Sequence, residues 1–537
     1  MRIRPLPLAG ALRLGRPSPI WFKPALSAVV SVAPPNLILL ALGRLDLAMY
    51  TMAGSLCALY AHNRPYAARA RTLAWVVLGM TGGLAAALTA ASLATGAAVL
   101  VTVGALLAAV QKAVCDATRV GPPGNVVLTF ISSAALFVPQ TLAQIPGHLG
   151  LALAAGAWAW LVGMAPGLVR PHGPERRATA QALNAAAAHA TTGDAHTRGA
   201  AAAAVQAAWQ TLLTAGLRSD RTRRGLERLL VRAEVALAAP ADSDPGRLRA
   251  WARDLRGNGP VPRVDDLPGE AEELLGVEAE RTAPTPHRHL TPVAVRTFVG
   301  CALAGYASLA LGVGRPYWAL VTAASLYQAN LTLTWSRAVQ RVVGNVIGVL
   351  VFAAVVPLAH LHQAALVLLC LAFNFGAEAL IGRNYWLGTI CVTPMALLIT
   401  EFARFQDSAE LITERTVDTL VGALVGFVAA VAVTNRRSGD RLEHALTTAE
   451  QARERAARLV SEPHTSPAAL EAARRALAGA LVDLRATAEA ASGEWWQRAL
   501  PHDRVVLTEQ AGHRTLAATV RAQGLTPGRT RAEDVRP

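Results

Sequence analysis

Glu378 and Asn374 stand one helical turn apart in Phe373-Asn374-Phe375-Gly376-Ala377-Glu378, inside an otherwise apolar run. A carboxyl group in such surroundings is costly unless it faces a cavity or a partner. Two roles follow for Glu378: carrying a coupling proton, or pairing with Arg383 or Arg341. Arg337 and Arg341 are four residues apart and share one face of a helix. That face suits the collection of organic anions at the mouth of a path, and it suits lipid headgroups equally. Arg296, near the end of another run, admits the same two readings. Asp418, read as lying in the first turn of the last run, complements a helix dipole there. The pairs Tyr317-Trp318 and Tyr385-Trp386 open two runs. They offer flat surface to an aromatic substrate, or they form an interfacial aromatic belt.

Signatures of soluble catalysis are absent. Only Lys23 and Lys112 are lysines, and neither sits in a GxxxxGK[ST] loop. The chain therefore carries no ATP-binding loop of that kind. HExxH and GxSxG are missing too. The cysteines Cys57, Cys115, Cys301, Cys370 and Cys391 form no CxxC pair and lie in or near apolar runs, as packing residues do. The expectation is a protein without catalytic residues, cofactor or metal.

The elements that position these residues are membrane spans. Of the 537 residues, 53% are hydrophobic, and the mean hydropathy is +0.33. The apolar residues form twelve runs, each about long enough as a helix to cross a ~30 Å hydrocarbon core. They are too long and continuous for barrel strands. The first six are expected at about 26–43, 46–61, 73–93, 96–114, 125–143 and 148–168. The second six are expected at about 293–311, 317–334, 342–359, 363–380, 385–401 and 416–434.

Net charge is +15, but the basic residues sit at run ends and in polar segments, which points to lipid and topology rather than nucleic acid. With the N-terminus inside, the inner segments hold Arg2, Arg4, Arg13, Arg16 and Lys23, then Arg64, Arg69 and Arg71, then Lys112 and Arg119. In the second set they hold Arg337, Arg341, Arg383, Arg436 and Arg437. The outer loops hold Arg44 with Asp46, a lone Arg315, and a last loop with Glu401, Asp407, Glu410 and Glu414 against Arg404 and Arg415. This satisfies the positive-inside rule with both termini cytoplasmic. The Arg- and Ala-rich composition hints at a GC-rich bacterium, and the start of the chain lacks a signal-peptide pattern.

The expected organisation is all-α: a basic cytosolic N-terminus (1–25), a six-helix membrane domain (26–169), a cytosolic helical domain (170–290), a second six-helix membrane domain (291–435), and a cytosolic helical tail with a polar, disordered end from about Gly524 (436–537). Pro240, Pro245, Pro260 and Pro268 punctuate the central segment.

A shift of 271 residues lays Gly43-Arg44 on Gly314-Arg315, Ala48 on Ala319, Thr51 on Thr322 and Ala53 on Ala324. With a short gap, Gly79 and Gly83 fall on Gly344 and Gly348. These pairs have the small-xxx-small spacing of close helix contacts. With Gly422 and Gly426 they admit either a homodimer or packing within one chain. Within the second half, Gly314-Arg315-Pro316-Tyr317-Trp318 and Gly382-Arg383-Asn384-Tyr385-Trp386 are three spans apart. They therefore enter the membrane from opposite sides, as an inverted three-plus-three repeat requires.

The run from Arg315-Pro316-Tyr317-Trp318-Ala319-Leu320 through Arg337 and Gln340-Arg341-Val342-Val343-Gly344 to Gly348 resembles the fusaric acid resistance (FUSC) family, also called the aromatic acid exporter family. Gly121-Pro122-Pro123-Gly124 resembles that family's Pro-Gly element. The resemblance implies efflux of small, often aromatic, carboxylic acids across a bacterial plasma membrane; related plant anion channels keep a channel reading open, beside a non-transporting scaffold or sensor. The first half departs from the pattern, with Arg44-Leu45-Asp46-Leu47 where the Tyr-Trp pair would stand. The expected partners are a small organic anion and membrane lipid, with Arg337, Arg341, Arg383, Tyr317, Trp318, Tyr385, Trp386, Asn374 and Glu378 as candidate contacts. An ion gradient is the expected source of energy.

Overall fold

The structure, a computed structural model, describes residues 8, 10–15, 21–215, 221–257, 259–264, 291–433, 438–493 and 501–523. Arg2, Arg4, Arg16, Pro268, Arg436, Arg437 and the polar end from Gly524 lie outside the described residues. Among the described residues every regular element is a helix. The protein is an all-α, polytopic membrane protein.

Twelve apolar segments form the membrane body. Eight contain helices long and apolar enough to cross a bilayer: α1 (Phe22–Ala41), α3 (Tyr66–Leu93), α4 (Ala97–Thr118), α6 (Ile145–Met164), α11 (Thr291–Ala310), α13 (Leu331–Ala359), α14 (Gln363–Ile381) and α16 (Ser408–Ala432). Four are shorter: α2 (Ala48–Ser55, continued by 3-10 turns on both sides), α5 (Val126–Ala135), α12 (Tyr317–Leu326) and α15 (Tyr385–Thr400). The short helix is the second of every three.

This corrects two expected spans. The run at 317–334 is broken after Leu326, because Asn330 caps a new helix by accepting a hydrogen bond from the Leu333 amide at 2.9 Å. The run at 125–143 is helical only to Ala135 before irregular chain leads to Leu142. Ten residues rise about 15 Å, half of a ~30 Å core. Irregular backbone is tolerated at that depth only inside protein. All ten residues of α12 are buried, so its neighbours shield the short helix from lipid.

The packing repeats. α2 packs on α6, as α12 packs on α16; α3 packs on α5 and α6, as α13 packs on α15 and α16. The first helix of each half crosses over: α1 lies on α14, and α4 lies on α11. The short helices α5 and α12 meet at the centre.

Glycine permits two of these contacts. A Cβ on Gly422 would lie 2.5 Å from the Ala319 carbonyl oxygen, and one on Gly344 would lie 2.6 Å from Thr389 Cβ. Gly426 and Gly348 repeat the arrangement one turn on, against Ala323 and Thr393. These two small-xxx-small pairs are therefore occupied by packing within the chain.

The polar helices lie at one end of the bundle. α7 (Gly173–Thr192), α8 (Ala195–Thr214), α9 (Arg221–Ala238) and α10 (Pro245–Arg256) pack together, as do α17 (Ser438–Ser461), α18 (Pro467–Ser492) and α19 (His502–Ala522). The two groups join through α8 on α18 and α9 on α19. Buried charges sit at the junction. Arg474 bonds Glu234 at 2.6 Å and Glu471 at 2.7 Å. Arg475 stacks 3.9 Å from the Trp209 ring centre, and Trp209 donates to Glu234 at 2.7 Å.

Candidate substrate cavity

A cavity of about 1450 Å³ opens toward the polar helices, with Arg441 of α17 and Ala490 of α18 on its rim. Both halves line it. The first half supplies the chain after α2, the C-terminal end of α4, and the Gly121-Pro122-Pro123-Gly124 turn before α5. Gly121 and Gly124 take left-handed conformations (φ 83° and 64°) that a side chain would strain. The Tyr60 hydroxyl donates to the Gly124 carbonyl at 2.7 Å and pins that turn.

The deep end is built on Trp318. Phe130 from α5 stacks on it with ring centres 5.5 Å apart. The guanidinium of Arg415 lies 4.1 Å from its ring centre. Arg415 is 1% exposed, and its Nε and Nη1 have no hydrogen-bond partner. An arginine buried with unpaired donors leaves hydrogen-bonding capacity unmet, an unfavourable arrangement that an anion would relieve. Toward the mouth, Arg337 lies 4.0 Å from the Tyr385 ring centre. Arg341 donates to the Tyr385 hydroxyl at 3.0 Å, and its buried Nε is unpartnered. Asn374 adds a buried amide nitrogen without a partner. The cavity thus offers arginine donors beside aromatic faces, a combination that holds carboxylates on planar rings.

Seven of the nine residues singled out from sequence line this cavity: Arg337, Arg341, Arg383, Trp318, Tyr385, Asn374 and Glu378. Arg383 is exposed at the rim, and Glu378 is half-buried on the wall. Neither Arg383 nor Arg341 forms an ion pair with Glu378. Tyr317 lies behind Trp318, 4.7 Å away, against Phe137. Trp386 faces the N-terminal segment and donates to the Leu12 carbonyl at 3.3 Å. Asn384 holds the same segment through Ala11 and Arg13. Arg296 donates to the Gln328 carbonyl at 3.0 Å and so braces the break after α12.

Sequence reasoning misplaced two residues. Arg415, assigned to the last outer loop, lies buried inside α16. Asp418 is not a first-turn residue: α16 starts at Ser408, and its cap is Asp407, which accepts from the Ala409 amide at 2.8 Å. Asp418 is fully buried and accepts a hydrogen bond from Ser308 at 2.6 Å. A signal existed. Leu411, Arg415, Asp418, Thr419 and Gly422 recur at helical spacing, and all are buried.

Other charged residues are paired. Arg315, read as a lone loop charge, is paired with Glu414 and donates to Gln406 at 2.5 Å. Glu401, whose side chain is fully buried, meets His360 at 3.0 Å.

Residues 302–429, from α11 through most of α16, match the family model described as fusaric acid resistance protein-like. Over that segment the chain is similar to that family. Trp318, Arg341 and Arg415 lie in the matched segment. The chain is also 27% identical over 479 residues to the uncharacterized membrane protein YvaC of Bacillus subtilis, covering 79% of this chain and 74% of that one. It is 30% identical over 145 residues to an uncharacterized protein of Haemophilus influenzae, covering 26% of this chain. The match spans about a fifth of that protein's length (19%). No solved structure matches the chain. The similarity of this segment to the fusaric acid resistance-like family, in a membrane protein, suggests a membrane transporter.

Proposed function

We propose that the protein exports small organic anions, aromatic carboxylates above all, across a bacterial plasma membrane with both termini cytoplasmic. The observation that carries this reading is Arg415, buried at the floor of the cavity with unpaired donors and stacked on Trp318. A benzoate-like molecule satisfies both features at once: its carboxylate meets the guanidinium, and its ring meets the aromatic faces. Arg337 and Arg341 draw the anion in, and Arg383 lies on the rim. The reading needs no bond-making chemistry, cofactor or metal. A gradient supplies the energy.

The ion pair at the outer end and the cavity at the inner end favour alternating access over an open pore. The test is flux of labelled benzoate from proteoliposomes containing the full chain. Saturable flux is expected from the wild type, with a loss of tenfold or more in Arg415→Gln. Wild-type flux no greater than that of empty liposomes overturns the proposal. Unsaturable flux that scales with imposed voltage favours the anion channel instead.

A further inference from the structure

Arg415 has an acidic neighbour that is not bonded to it. Asp418 lies three residues further along α16, on the adjoining part of the same face, fully buried. One carboxylate oxygen accepts from Ser308 of α11 at 2.6 Å. The other is buried and has no hydrogen-bond partner. Arg415 Nε and Nη1 are equally unpartnered. Two opposite charges therefore sit one turn apart in the protein interior, each only partly satisfied.

The other groups around them are engaged. Glu414, one turn from Asp418 on the same helix, is paired with Arg315 and accepts from the Gly314 amide at 3.1 Å. Tyr317 from α12, Arg341 from α13 and Tyr385 from α15 complete the titratable and charged surroundings.

With the cavity empty, Asp418 as a carboxylate is the counter-charge of Arg415. An incoming carboxylate brings a second negative charge to the same guanidinium. Two carboxylates sharing one buried cation repel, and repulsion favours protonation of one of them. Asp418, buried and with a single hydrogen bond, is the group that gains most. Resting on the reading of Arg415 as the anion's contact, we propose that Asp418 takes up a proton as the anion binds. The site then carries anion and proton together. The proton comes from solvent, and it returns to solvent when the anion leaves. No bond within the anion changes. A monoanion and a proton together move no net charge. Outward movement then requires the product of their concentrations to be greater inside.

Isothermal titration of the purified full chain with benzoate, in buffers of different ionisation heat, counts the protons. The wild type is expected to take up close to one proton per benzoate, and its affinity to fall about tenfold for each pH unit above the titration midpoint. Asp418→Asn should bind without proton uptake and with an affinity flat in pH. Ser308→Ala removes a hydrogen bond from the charged form, so its loss of affinity should begin at higher pH.

The inference is overturned if Asp418→Asn keeps the wild-type pH dependence, or if the uptake disappears in Glu378→Gln instead. Should Asp418→Asn fail to fold, an unshifted midpoint in Ser308→Ala overturns it equally. Benzoate binding to the wild type without proton uptake removes the inference and leaves the anion reading standing. No benzoate binding by the wild type or any variant removes both.

Discussion

Arg415 is held by geometry that only arginine can supply. Its guanidinium carbon lies 4.1 Å from the Trp318 ring centre, while Nε and Nη1 have no hydrogen-bond partner. A lysine keeps the charge but loses the flat contact and the two-pronged donor set. Hydrogen bonds to charged groups contribute about 1.5–3 kcal/mol each. Arg415→Lys should therefore weaken benzoate binding about tenfold or more, even though net charge is unchanged. An affinity within about twofold of wild type would show that bulk charge, rather than the donor geometry, selects the ligand. Tyr385 is a different case. It receives Arg337 on its ring face and Arg341 on its hydroxyl, so it spaces two like charges that would otherwise repel. The four-residue interval between those arginines was readable from sequence. The tyrosine between them was not, because it comes from another helix.

At the scale of helices, the spacing of α12 against α16 is fixed by Gly422 and Gly426. A leucine at Gly422 would drive side-chain atoms into the Ala319 backbone, which lies at van der Waals distance or closer. Overpacking of this kind costs about 1–3 kcal/mol. Gly422→Leu should lower the thermal unfolding midpoint of the detergent-solubilised protein, whereas the same change at Gly79, which has open space around it, should not. Equal effects at the two sites would show that helix propensity, not the close approach, decides the outcome. The apolar runs, their number and the all-helical class were legible because lipid imposes long uninterrupted hydrophobicity on whatever faces it. The same rule hides what does not face lipid. The first part of α16 carries Glu410, Glu414, Arg415 and Asp418, so hydropathy placed its start eight residues late, at 416 rather than Ser408. Arg415 and Asp418 are sheltered by α11, α12 and α13, whereas Glu410 is exposed. The halving of α12 was hidden for the converse reason: its flanks are apolar enough to read as one continuous span.

Over the whole molecule, the polar helices from the middle and the end of the chain meet at Arg474, which is 3% exposed. Burial alone would lower its pKa, but Glu234 and Glu471 raise it instead. Removing one partner from such a cluster leaves the others charged and buried, at a cost of about 3–5 kcal/mol. Arg474→Met should loosen the junction of α9 with α18, seen as faster amide exchange in both. Protection unchanged from the wild type would mean that the apolar contacts hold the junction unaided. The crossing of first helices has a different kind of consequence. Under the six-plus-six correspondence α11 stands for α1 and α14 for α4. The contacts α1 on α14 and α4 on α11 are then one contact made twice. A chain of half this length would make that contact only with another copy of itself, as a two-fold symmetric pair. Its folding would depend on concentration, and joining the two copies end to end removes that dependence. Once joined, each copy is free to diverge, so an arginine-tryptophan floor can be kept in one half while the other contributes Phe130 and a glycine turn.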